Sequence, residues 1–149
     1  MDQHLFDAFE EFLFAQVRMK YATRVLLRQG LKEADLDLTV EMMATLVELE
    51  RHRGCSQTDL ADLLVRDRAS TTALLDNLAQ RQLIERRSHD TDRRTKLIFL
   101  TALGEQRLVQ VKAIFERVYR TASQGLDPHE LQAAATLSAR IKANCQGSA

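Results

Sequence analysis

One proline and five glycines in 149 residues leave little material for a flexible linker, and no stretch is repetitive or low in complexity. Two cysteines, Cys55 and Cys145, are too few for a disulfide framework and too far apart to suggest one metal site, which fits a reducing compartment. No apolar run approaches the roughly 20 residues that a membrane span needs. The opening MDQHLFDAFEEF is acidic where an export leader would be basic and then apolar. An excess of one charge is missing too. With 21 basic and 21 acidic residues, the overall balance argues for neither a nucleic-acid tail nor a membrane-surface protein. Catalytic spacing is equally absent: neither a Ser-His-Asp nor a Cys-His arrangement stands in a supportive context. His52 and Cys55 are two ligands where zinc requires three or four, and His4, His89, His129 and Cys145 add no supporting pattern. The expectation is a soluble cytoplasmic protein that is not an enzyme and uses no membrane, metal or cofactor.

What is present is a helical pattern around a short centre. With 45% hydrophobic residues, the chain is long enough for one core and too short to favour two domains, so residues 1–149 read as one domain. Residues 3–29 carry Leu5, Phe9, Phe12, Leu13, Val17, Tyr21, Val25 and Leu26 at helical spacing. Gly30 is expected to end that helix. Further apolar residues off the main stripe (Phe6, Phe14, Leu27) call for a second neighbour, such as another copy of the chain. Thr39 suits the N-cap of a helix from Val40 to His52, which RHRG closes. Ser56, with Asp59 at N3, opens a third helix whose Leu60, Leu63 and Leu64 should point inward. After the turn Val65-Arg66-Asp67, a fourth helix covers Arg68 to Gln82. Ile84–Ser88 and Lys96–Leu100 read as a two-stranded ribbon joined by HDTDRRT. Thr101 caps a long helix to about Ser123, and Asp127-Pro128 starts a last one to about Asn144.

Helix, turn, helix, hairpin is the order of a winged helix. A major groove about 12 Å wide admits one helix, read by side chains that are short or can fork onto base edges. Ser70, Thr71, Thr72 and Asn77 of the fourth helix meet that requirement, while Arg66, Arg68 and Arg81 bracket it where phosphates would lie. From Arg81 to Lys96 six basic residues, including Arg86, stand against three acids, so positive charge concentrates on the ribbon. Arg93 and Arg94 at its tip suit a narrow minor groove, where negative potential is enhanced.

Asp92-Arg93-Arg94, the next five residues and Leu100-Thr101 together resemble the D-x-R-x(5)-L-T wing pattern of the MarR (multiple antibiotic resistance regulator) family. Leu38-Thr39, Ser56 to Ala61 and Leu83 to Arg86 extend the likeness over nearly the whole chain. The resemblance implies a mainly α fold with a small two- or three-stranded β wing. A winged helix-turn-helix over residues 37–101 would be flanked by a helical dimerisation region, residues 1–36 and 102–149. It further implies a homodimeric transcriptional repressor on a near-palindromic double-stranded DNA operator, released by a small aromatic or phenolic effector. Arg94 would enter the minor groove, supported by Asp92, with Arg93 and Lys96 beside it. The chain departs from the pattern at Ala73 and Asn77, where basic residues are frequent, and at Gln82, where a glycine is usual. Met42 and Met43 replace a frequent aromatic. Two other readings fit the same residues: a winged helix that binds a protein rather than DNA, and a thiol-based redox sensor. For the last, Cys55 is the candidate, since it precedes a helix whose dipole would favour a thiolate, although low reactivity is expected.

Overall fold

Leucine and methionine spacing in the middle of the chain sets the core of the protein, a computed structural model that describes residues 2–88 and 95–147. The elements are α1 (Gln3–Glu33), α2 (Val40–Arg51), β1 (Cys55–Ser56), α3 (Gln57–Leu63), α4 (Arg68–Gln80), β2 (Ile84–Ser88), β3 (Lys96–Leu100), α5 (Ala102–Ala122) and α6 (Pro128–Gly147). Packing divides them into two units, Met1–Val118 and Tyr119–Ala149.

In the first unit α2 is the central pillar. Met42, Met43, Leu46 and Leu49 are buried, and they join one core with Leu60, Leu75, Leu78, Leu83, Ile84, Ile98, Leu108 and Val111. Thr39 starts α2 as expected, its hydroxyl accepting from the Met42 N–H. The ribbon strands fall where the alternation placed them, and β1 completes a three-stranded antiparallel sheet in the order β1-β3-β2. Cys55 pairs with Ile98 and Ser56 with Leu97; in the hairpin Ile84 pairs with Leu100 and Ser88 with Lys96. A two-residue strand lies below what periodicity can detect.

Gly30 does not end α1. It lies buried inside the helix, which continues to Glu33, because a β-carbon there would collide with Ile114 of α5. The residue is a close-approach glycine, and the helix stops instead at Ala34 and Asp35, the latter at φ +49°. Only Leu27, Gly30 and Leu31 of α1 are buried; Leu5, Phe6, Phe9, Leu13, Phe14 and Val17 are exposed.

Gln82 takes the left-handed conformation usually left to glycine, at φ +58°, so the tight turn after α4 forms despite its side chain. Thr101 secures that turn: its hydroxyl donates to the Gln82 carbonyl (2.6 Å) and accepts from the Gly104 N–H (3.0 Å), and its own N–H donates to the Leu83 carbonyl (3.1 Å).

The second unit consists of the end of α5 and α6. The Asp127 carboxylate accepts from the His129 N–H and Glu130 accepts from the Asp127 N–H, a reciprocal cap that starts α6 at Pro128 as its sequence indicates. The helix extends to Gly147, past the expected Asn144, and buries no residue. No described helix is long and apolar enough to cross a membrane.

Candidate nucleic-acid interface

Ser56 and Asp59 form a full capping box at the start of α3, with the Asp59 N–H donating to the Ser56 hydroxyl (3.2 Å) and the Ser56 N–H to the Asp59 carboxylate (3.1 Å). The Ser56 hydroxyl, donating to the Asp59 carboxylate at 2.7 Å, and then the Ser56 N–H hold that carboxyl below its usual range. Leu60 is buried and Leu64 packs on the core. Leu63, expected inward as well, is 40% exposed, because a seven-residue helix has only one inward stripe. The chain then reverses at Val65 (φ +52°), an uncommon conformation for a β-branched residue. Asp67 caps α4, accepting from the Ser70 N–H at 2.8 Å, and Ser70 holds its carboxyl below the usual range.

Burial sorts the residues of α4. Thr71, Leu74, Leu75 and Leu78 face the core. Thr71 therefore cannot read a base: it is fully buried, and its hydroxyl donates to the Asp67 carbonyl at 2.9 Å. Sequence reading grouped it with its polar neighbours, but a helix turns 100° per residue and carries it off their face. Arg68, Thr72 and Asn77 are exposed together with Ala69, Ala73, Asp76 and Gln80, and Ser70 is half-buried at their edge. Arg66 stands half-buried in the turn, its Nε without a hydrogen-bond partner among the described residues.

Several polar contacts hold this surface in place. Gln57, at the start of α3, donates to the Thr72 hydroxyl at 2.6 Å. Arg86 of β2 donates to Asp76 of α4 at 2.7 Å, tying hairpin to helix. Arg81 does not project toward a phosphate; its Nε donates to Asn77 (2.7 Å) and its Nη1 to Asp37. On the hairpin Lys96 donates to Ser88 at 2.7 Å, while Arg87 pairs with Glu85 and lies 4.5 Å from the centre of the Phe99 ring. Asp92, Arg93 and Arg94 lie outside the described residues.

Gln57 and Asp76 were missed by the sequence reading, and Arg87 entered it only as one of the six basic residues around the ribbon. For Asp76 a signal existed: it lies at helical spacing from Thr72 and Ala73. Nothing local pairs Gln57 with Thr72, fifteen residues away.

Cys55 is half-buried at the edge of the sheet. Burial pushes its thiol above the ordinary value, and the nearby Asp59 and Glu48 carboxylates push the same way, opposite to the direction that a helix dipole would favour. Among the described residues no three His, Cys, Asp or Glu side chains gather as metal ligands would.

A core-packed α3, a turn, a half-exposed α4 and a basic hairpin define a winged helix-turn-helix. Residues 38–96 match the MarR family. A curated relative, the HTH-type transcriptional regulator BilQ of Clostridium symbiosum (strain WAL-14163), is 27% identical over 78 residues. That match spans about half of each protein, 52% of this chain and 54% of the relative. Among solved structures, the S. aureus MepR-DNA complex is 29% identical with a TM-score of 0.75, over 89% of this chain and 96% of that one. A mutant of MarR from E. coli complexed with operator DNA is 20% identical with a TM-score of 0.79, over 92% and 97%.

Proposed function

We propose that the chain is a homodimeric, sequence-specific DNA-binding transcriptional regulator of the MarR type, acting as a repressor that a small effector releases. The observation that carries this reading is the exposed face of α4, with Arg68, Thr72 and Asn77, standing beside a hairpin that bears Arg86, Arg87 and Lys96. A helix of this kind enters a major groove while flanking cations meet phosphates and the hairpin tip, with Arg93, Arg94 and Asp92, enters the minor groove. Both solved neighbours described above were captured on DNA.

Residues 1–36 and 102–149 would supply the dimer interface. The exposed Leu5, Phe6, Phe9, Leu13, Phe14 and Val17 of α1 support this, since a helix with such an apolar face requires a cover. Two α4 helices would then enter successive major grooves about 34 Å apart. For the effector, a groove of about 360 Å³ lies between α1 and the start of α2, lined by Leu31, Leu36, Leu38 and Val40, by Arg28 and Lys32, and by Arg24 paired with Glu41. Apolar side chains beside Arg28 and Lys32 suit an aromatic or phenolic anion. A thiol switch at Cys55 has less support, because its surroundings hold the sulfur protonated.

The test is a gel-shift titration on the DNA upstream of its own gene at increasing salt. Binding should weaken steeply as released counterions lose their entropic advantage, and Arg94→Ala should weaken it at least tenfold, about 1.4 kcal/mol, with dimerisation intact. Absent or salt-indifferent binding would favour a protein partner instead.

A further inference from the structure

We propose that α4 recognises thymine through methyl groups, so that each half-site of the operator contains thymines whose 5-methyl groups are required. The inference rests on the DNA-binding reading above and specifies what that surface reads.

Ala69, Thr72, Ala73 and Asp76 recur at the i, i+3, i+4, i+7 spacing of one helix face, and all four are exposed. The face departs from a hydrogen-bonding surface at its first three positions. Ala69 and Ala73 offer only methyl groups. Thr72 has a hydroxyl, but that group donates its one proton to the Arg68 carbonyl (2.9 Å) and accepts from Gln57 (2.6 Å). It has no proton left for a base acceptor, and the γ-methyl is the part of the side chain free of these bonds. Asp76 is engaged by Arg86 at 2.7 Å, which occupies one carboxylate oxygen and offsets its charge. Three adjacent methyl-bearing side chains remain at the centre of the face.

In the major groove thymine alone presents a methyl group, at C5, and alanine and threonine methyls are its apolar partners. Gln57 is a positioning residue here, since its amide holds the Thr72 hydroxyl from the neighbouring helix. Phosphate contacts would supply affinity and these methyl contacts the choice of base.

The experiment begins by selecting a preferred duplex from a random library with the full-length protein, then replaces each thymine in turn with deoxyuridine. Losing one buried methyl should weaken binding on the order of fourfold, at one or more thymines in each half-site. Thr72→Ser keeps the hydroxyl bonds but removes the methyl, and should abolish the deoxyuridine penalty at one thymine per half-site. Thr72→Val keeps the methyl without the hydroxyl and should retain the penalty. Selective binding that is indifferent to deoxyuridine everywhere overturns this inference and leaves the DNA-binding reading standing. Failure to select any duplex overturns both.

Discussion

Arg81, the residue that closes α4, holds Asp37 in the link between α1 and α2: its Nη1 lies 2.6 Å from the carboxylate Oδ2 and 2.5 Å from the Asp37 carbonyl oxygen. The same guanidinium donates through Nε to Asn77. One side chain thus ties the end of the exposed helix to the segment that follows α1.

The two partners should not respond equally to removal. The Asp37 side chain is 94% exposed, so Asp37→Ala loses a screened pair and is expected to cost less than about 1 kcal/mol, the carbonyl bond surviving. Arg81→Ala loses three hydrogen bonds and should cost about 1 to 3 kcal/mol. Urea denaturation of both variants checks the asymmetry, and equal losses would contradict it.

Thr71 and Thr72 are adjacent in sequence and should behave as different kinds of residue. Thr71→Ala opens a small cavity under α4 and should lower stability by about 1 to 2 kcal/mol. Thr71→Val should be milder, because the Asp67 carbonyl still accepts from the residue 71 N–H. Neither is expected to change which duplex the folded protein selects. A shifted base preference in either variant would put Thr71 back in the groove.

Gly30→Ala places a methyl against the Ile114 γ-methyl, with Arg117 alongside. The expected loss is about 1 to 3 kcal/mol, although alanine is the better helix former. Pairing it with Ile114→Ala should recover part of that loss, a non-additivity of the kind that residues in contact show. Thermal melts of the two single variants and the double variant decide the matter; additive losses would remove Ile114 as the cause.

Cys55 and Cys145 should separate in alkylation at pH 8. Cys145 is exposed, whereas Cys55 is half-buried with its thiol held protonated by burial and by Asp59 and Glu48. Iodoacetamide followed by mass spectrometry should show Cys145 modified first. The linkage has a definite sign: folding favours the protonated thiol. Its contribution to stability is therefore whole below about 8.5 and is lost as pH rises through the raised folded value. Faster labelling of Cys55 would revive the redox reading.

Local signals made much of the fold legible. Thr39, Ser56 and Asp127 start their helices because a short polar side chain can accept an unpaired N–H whatever the rest of the chain does, and Asp67, read only as part of a turn, does the same for α4. Strands β2 and β3 keep the bounds read from the sequence, Ile84–Ser88 and Lys96–Leu100. The candidate site was only partly legible. Composition placed polar and basic residues on the right elements, yet Thr71 turns inward, Arg81 turns back to Asp37, and Gln57 enters the site through a contact fifteen residues away.

The amino-acid sequence by itself determined the order of the elements, their caps and the concentration of positive charge on the hairpin, because these depend on neighbours within about four positions. Only the tertiary structure decided that Gly30 is a helix crossing rather than a helix end, that Gln82 bears the turn a glycine would, and which polar side chains of α4 remain available. Those outcomes depend on what packs against each residue from distant parts of the chain. Burial and hydrogen-bond partners are set there, by Ile114 against Gly30, Thr101 under Gln82 and Gln57 on Thr72.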